Sequence, residues 1–298
     1  MDSERTLTTS RDSKGLLALS MFESAYNSAK LDSKEAELLN EKGGKFKVGI
    51  IDLINRLTSE DNFTNEEVNS THRYPASYEG PEPIEKQIYE LSSYFDLDTG
   101  QALRYVKNLP DLPTGAEGWF AVPSINVVGQ RLFPDVSSYT DRYCKLINLV
   151  HKKLENQRKF YNYQKEQINT EHLKMNYRTL SYMHVLMDKQ PGDILVFPAQ
   201  LGLLHAGKSA RRAESSFAGT EFGLGSFAIG SILLTHPKRL GYINELDIIC
   251  SGDDFSFEAC SRYLSVLIYF YLGRVEFDEQ WKWKANSHYG SATGFVPY

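Results

Sequence analysis

The sequence predicts an α/β or α+β fold: a mixed β-sheet with packed helices, plus a helical N-terminal arm. Three observations carry this. Long stretches repeat apolar residues at i, i+3 and i+4, as in Ser138–Gln157, whereas short apolar runs such as Trp119–Val122 and Asp193–Phe197 have strand length. Residues 58–83 break the composition, with little periodicity, many Asn, Ser and Glu, and Pro-flanked turns. The 298 residues are 41% hydrophobic and 24% charged, the balance of an ordinary globular chain.

In chain order, Leu16–Asn27 sets Leu16, Leu17, Leu19, Phe22, Ala25 and Tyr26 at helical spacing. Lys34–Leu39 and Phe46–Leu57 read as two further helices around Gly43-Gly44. Residues 1–57 are therefore expected to form the arm, 58–83 a linker or long loop, and 84–298 the main domain. Pro83–Phe95 and Thr99–Leu109 read as short amphipathic helices, the second with Asp98 as N-cap. Trp119–Val122 is a buried strand stopping at Pro123, and helices are expected over Ser138–Gln157 and His172–Asp188. Arg158–Tyr163 is a basic-aromatic connector between them.

After Pro191-Gly192 the pattern turns to strand at Asp193–Phe197, expected to end at Pro198 and to be buried on both faces. A helix is expected near Ser209–Ala218. Phe222–Thr235 is apolar throughout, and its pattern leaves helix and strand open. Leu246–Cys250 reads as a strand ending in the acidic loop Ser251-Gly252-Asp253-Asp254. Ser265–Leu272 and Arg274–Phe277 resemble a β-hairpin turned at Gly273.

Net charge is −5, which argues against a global field that recruits nucleic acid or anionic membrane. Cys144, Cys250 and Cys260 match no paired zinc pattern and are expected to be structural thiols in a reducing compartment. Met1–Lys14 has no apolar run of signal-peptide length, and no stretch approaches the roughly 20 apolar residues of a span. The expectation is a soluble, cytoplasmic protein without a membrane partner.

The most unusual segment is Gly202-Leu203-Leu204-His205-Ala206-Gly207-Lys208-Ser209, which matches G-x-x-x-x-G-K-[ST]. In a working loop of this kind, successive N–H groups cradle phosphate, Lys neutralises it and the hydroxyl holds Mg²⁺. The pattern arises by chance in roughly one chain of this length in a hundred. Pro198 and the intervening Ala199-Gln200-Leu201 displace it from the strand end, and Leu203 and Leu204 are bulky for a cradle. His205, Lys208, Arg211 and Arg212 crowd a helix start, where the macrodipole disfavours cations unless an anion binds. The candidate ligand-binding residues are His205, Gly207, Lys208, Ser209, Arg211 and Arg212. Pairing of the two arginines with Glu214 and Glu221, or simple solvation, is the alternative.

Other features are weaker. Asp253, Asp254 and Glu258 offer oxygen ligands for a divalent metal or form a solvated loop. The seven histidines lack HxxxH and HExxH spacing, His236 before Pro237 suits a helix end, and no G-x-S-x-G elbow occurs. Arg158–Tyr163, Trp281, Trp283, Tyr289 and Phe295 supply either stacking surfaces for bases or packing. No metal or catalytic residue is assigned.

The stretches Gly115–Phe120, Arg158–Tyr163, Gly192–Gln200, Ser209–Ala213, Glu221–Gly225, Thr235–Pro237 and Gly290–Phe295 resemble a recurring family of uncharacterised bacterial proteins. The likeness runs from about Thr71 onward and implies no activity, cofactor or partner. That family tends to Arg at the position of Lys208. Three functions follow as expectations. The first is a non-catalytic binding protein for a phosphate-bearing ligand, nucleic acid or nucleotide, at the basic junction. The second is a Mg-dependent nucleotide hydrolase or transferase using Gly202–Ser209 with Asp253 or Asp254. The third is a structural or assembly protein whose Phe222–Leu234 segment and aromatic tail pack in the core or against another chain or copy.

Overall fold

The computed structural model describes residues 9–44, 46, 47, 50, 54, 62–257 and 264–297. The chain divides into two units, Met1–Ile51 and Asp52–Tyr298. The first holds α1 (Ser13–Ser28) and α2 (Ser33–Glu41). Asp32 caps α2 in a reciprocal box with Glu35. The expected helix over 46–57 falls largely outside the described residues.

The second unit is α+β. An antiparallel sheet runs in the order β1 (Gly118–Pro123), β4 (Ile194–Gln200), β10 (Thr293–Phe295), β5 (Glu221–Gly223). A mixed sheet runs β2 (Phe160–Asn162), β8 (Arg274–Trp281), β7 (Leu264–Tyr271), β6 (Asp247–Phe255), β3 (Leu173–Met175). The parallel strand β9 (Tyr289–Ser291) shares the β3 edge of β6. Its helices are α3 (Ile84–Phe95), α4 (Gly100–Tyr105), α5 (Ile125–Leu132), α6 (Tyr139–Gln157), α7 (Tyr177–Lys189), α8 (Ala210–Ser216) and α9 (Ser226–Thr235). Among the described residues no helix is long and apolar enough to cross a membrane.

The Phe222–Thr235 ambiguity resolves into β5 followed by α9. Every residue of α9 is buried, as expected of a helix apolar all round. It packs on α6, where a Cβ at Gly230 would lie 2.6 Å from Val150 Cγ1.

The two sheets meet where β5 crosses β6. A Cβ at Gly252 would stand 2.5 Å from the Gly225 nitrogen, so only glycine lets these backbones touch. There the Gly252 N–H donates to the Leu224 carbonyl at 3.0 Å, and the Leu224 N–H to that of Ala292 at 2.9 Å. Ala292 links β9 in one sheet to β10 in the other.

Several expectations are corrected. The helix expected from His172 begins at Tyr177, because Asn176 caps it through the Thr179 N–H and Leu173–Met175 pairs with β6. Thr99, not Asp98, is the N-cap of α4, although Asp98 Oδ1 accepts the Gly100 N–H at 3.0 Å. The strand begun at Leu246–Cys250 continues through Ser251–Asp254 to Phe255, with a register shift, so Asp253 and Asp254 belong to a strand and not a loop.

The strand at Asp193–Phe197 likewise runs through Pro198 to Gln200. The Trp119 carbonyl and Ala121 N–H turn away from β4, to Gln87 Nε2 and Oε1, each at 3.0 Å. Pro198, opposite Trp119, therefore owes β1 no N–H. On the other side, β10 pairs only with Ala199 and Gln200.

Gln87 is fully buried and stands in for a missing strand at the β1 edge. A Gln87→Leu substitution keeps the volume but orphans both groups, at an expected cost of about 2–4 kcal/mol. Urea unfolding with an unchanged m-value reads this out. A midpoint equal to wild type would show that the edge needs no such cap.

Candidate functional site

The junction leaves β4 through buried Leu201 and turns at Gly202 (φ 126°) into a single 3₁₀ turn, Leu203–His205. It turns again at Gly207 (φ 85°), where a Cβ would collide with the Val68 carbonyl oxygen 2.0 Å away. Ser209 then caps α8 by accepting the Arg212 N–H at 3.1 Å.

Each N–H from Gly202 to Ser209 meets a protein acceptor. Gln200 Oε1 takes those of Gly202 at 2.7 Å and Leu204 at 3.3 Å, and Tyr74 Oη takes that of Leu203 at 3.3 Å. Those of His205, Ala206 and Lys208 close local turns onto Gly202, Leu203 and His205. Gly207 donates to the Tyr289 carbonyl at 2.8 Å and Ser209 to that of Glu66 at 3.0 Å. The cradle of converging amides that a phosphate loop needs is not formed.

The basic helix start does hold an anion, the carboxylate of Glu66. Ser209 Oγ donates to Glu66 Oε2 at 2.7 Å, and Arg211 Nε lies 2.9 and 2.8 Å from the two oxygens. Arg211 Nη2 adds a further bond to Oε1, and the guanidinium lies 4.2 Å from the Phe63 ring centroid. Arg212 Nε pairs with Glu67 at 3.2 Å, and Lys208 Nζ donates to Ser216 Oγ at 3.3 Å. The arginines thus pair with Glu66 and Glu67, not Glu214 and Glu221. Hydrogen bonds from Arg211 hold the Glu66 carboxyl below its ordinary range. Both acids sit in the segment read as a linker, where they had no periodicity to mark them. Its described part, residues 62–83, is a strap on this unit, with Glu66 and Tyr78 buried.

His205 lies apart from the cations, 3% exposed, with Nε2 2.7 Å from Glu221 Oε1. Glu221 also accepts from Thr293 Oγ1 at 2.6 Å and the Ala218 N–H at 2.9 Å. Burial alone would raise its carboxyl, but these hydrogen bonds outweigh that and leave it below the ordinary range. The pair is sealed from solvent and cross-links β5 to the junction. Glu214 instead faces Lys282 at 3.8 Å.

Asp253 is fully buried, accepting from the Ser226 N–H at 2.7 Å, the Ser226 hydroxyl and Tyr143 Oη at 2.6 Å. Burial pushes its carboxyl up to about 6. Asp254 pairs with Lys282 at 2.8 Å, and Glu258 lies outside the described residues, as does Cys260. Among the described residues no cluster of three or more His, Cys, Asp or Glu side chains is arranged to hold a metal. Cys144 and Cys250 are buried free thiols, and buried His236 accepts the Glu82 N–H through Nε2 at 3.0 Å.

Of the aromatic candidates, Phe295 is in the core, while Tyr161, Tyr163, Trp281 and Trp283 are exposed. Trp281 and Trp283 stack with centroids 6.2 Å apart. An open cleft of about 520 Å³ lies beside the junction, lined by Glu67, Val68, Asn69, Ser70, Arg73, Leu203 and Ala206. Arg73 Nη1 there donates to the Ser70 and His72 carbonyls.

No family model, no curated protein and no solved structure matches this chain.

Hydrogen bonds to a charged group contribute about 1.5–3 kcal/mol. In Glu66→Gln, exchange of the Val68 and Ser209 amides is therefore expected to rise about tenfold or more. Because the Glu66 pKa is lowered, its contribution is complete above the usual glutamate value of about 4.3. It is lost as pH falls through the lowered value. Unchanged exchange in Glu66→Gln would show that the strap is held without the carboxylate.

Proposed function

We propose that this chain is an assembly protein that joins a second copy of itself through its N-terminal helices. The observation that carries this is the surface of α1. None of its residues is buried, although Leu16, Leu17, Leu19, Met21, Phe22 and Tyr26 are large and apolar. Met21 is 62% exposed and Leu17 58%. On a helical projection Leu17, Met21, Ala25, Ala18, Phe22, Tyr26 and Leu19 fill one broad arc that also holds Ser28, and Glu23, Asn27, Ser20 and Ser24 line the other together with Leu16.

A helix of 16 residues is marginal in water unless an apolar face is covered. The helix α2 has no buried residue either, and its Leu38 is exposed. The charges within α1 are Lys14 and Glu23 alone, so two copies meet without like-charge repulsion. Contiguous exposed apolar surface of this kind marks protein interaction sites.

A phosphate-bearing ligand at Gly202–Arg212 has less support. The amides there already have acceptors, and Arg211 and Arg212 already face carboxylates. Hydrolysis at the same motif would need the Ser209 hydroxyl, which is fully buried and donates to Glu66.

Sedimentation velocity over a range of protein concentrations tests the assembly reading. Self-association is expected, and Met21→Glu or Phe22→Glu should each weaken it at least about tenfold, since burying such a side chain stabilises by about 1.5–3 kcal/mol. Both positions are exposed, so the fold tolerates them. A wild-type chain that stays monomeric at every concentration overturns the reading.

A further inference from the structure

The outer face of the mixed sheet presents tyrosines and carboxylates in one row. Tyr161 of β2 pairs with Glu276 of β8, which pairs with Tyr269 of β7. The Ile249–Leu267 pairing brings Asp247 of β6 beside Tyr269, and Asp247 pairs in turn with Tyr289 of β9. Asp278 stands one step along β8 on the same face. The first residue of α8, Ala210, covers Ile249 and Leu267, with Tyr269 and Tyr289 packed at the margin. Beyond that margin Tyr161, Tyr163 and Tyr271 are exposed.

One end of this row already accommodates a cation. The Arg274 guanidinium lies 4.5 Å from the Tyr161 ring centroid. Its Nε donates to Glu276 Oε1 at 2.7 Å and its Nη2 to Tyr163 Oη at 3.2 Å. The ring face and the carboxylate act together on the guanidinium.

The other end repeats the chemistry without the cation. Among the described residues, the half-buried Asp247 carboxylate makes no hydrogen bond or ion pair. The charge of Arg239 reaches it from the core, but that guanidinium is bonded to Glu245 at 3.0 Å, whose own charge opposes it. Asp278 accepts from a neutral donor, Gln164 Nε2 at 2.9 Å, and shares a hydrogen bond with Glu279. Burial pushes the Asp247 carboxyl up to about 7, and burial with the charges of Asp247 and Asp278 raises the Tyr289 hydroxyl. A cation arriving there would relieve that cost.

We infer that this sheet face docks an arginine-bearing segment of another protein, its guanidinium seated against Asp247 and Asp278 between Tyr269 and Tyr289. The tyrosines around it supply the amphipathic rim common at protein interfaces. The Arg274 arrangement favours arginine over lysine, because a planar guanidinium stacks on a ring while it pairs with a carboxylate. This surface is independent of α1.

The test titrates a tetra-arginine peptide into the full chain at low ionic strength. Saturable binding is expected, weaker for tetra-lysine and weakened at least about tenfold by Asp247→Asn. Asp111→Asn, which removes the same charge from an exposed site elsewhere, should leave binding unchanged. Thermal unfolding at pH 8 gives a second readout. A carboxyl raised to about 7 by burial costs stability above that pH, so Asp247→Asn should unfold no lower than wild type. No binding, equal loss in the two variants, or a destabilised Asp247→Asn would each overturn the inference.

Discussion

The backbone crossing of Leu224 over Gly252 is the constraint on which the second unit depends. The two sheets are separate ladders, yet the N–H groups of Gly252 and Leu224 tie β6, β5 and the Ala292 link into one hydrogen-bonded seam. The contact is too close for any Cβ at Gly252. Beside it Asp253 takes the first N–H of α9, and Thr179 Oγ1 donates to the Gly223 carbonyl at 2.8 Å. A buried acid at that place is the consequence of a seam that brings a helix start against a strand.

The junction at Gly202–Arg212 follows the same logic. It looks like a phosphate cradle because glycines, a lysine and a hydroxyl recur where a chain must turn sharply and start a helix. Here those residues serve the protein's own strap. Glu66 provides the charge that a basic helix start asks for, and the Val68 N–H donates to the Gly207 carbonyl at 3.0 Å. An intramolecular carboxylate needs no translational entropy to bind, which is why it holds a site that a free ligand would have to compete for.

Two surfaces stand apart from the seam and the junction. The α1 helix exposes large apolar side chains, and among the described residues the Asp247 carboxylate on the outer sheet face makes no hydrogen bond or ion pair. Burial of exposed apolar surface and pairing of a buried charge are both favourable on association, and they differ in salt dependence.

The sequence by itself determined the elements whose signal is local. The 3.6-residue periodicity of Tyr139–Gln157 and the Leu272-Gly273 turn of the β7–β8 hairpin depend on neighbours within a few positions. Tertiary structure alone decided the rest. Pro198 lies inside a strand because Gln87, over a hundred residues earlier, takes the polar groups of β1. Phe222–Thr235 divides into strand and helix only where β6 crosses it. Glu66 and Glu67 become the partners of Arg211 and Arg212 across some 145 residues of chain. Such pairings leave no periodic trace, because a hydrogen bond or ion pair needs one residue of the right charge at one place, and only the folded backbone says which place that is.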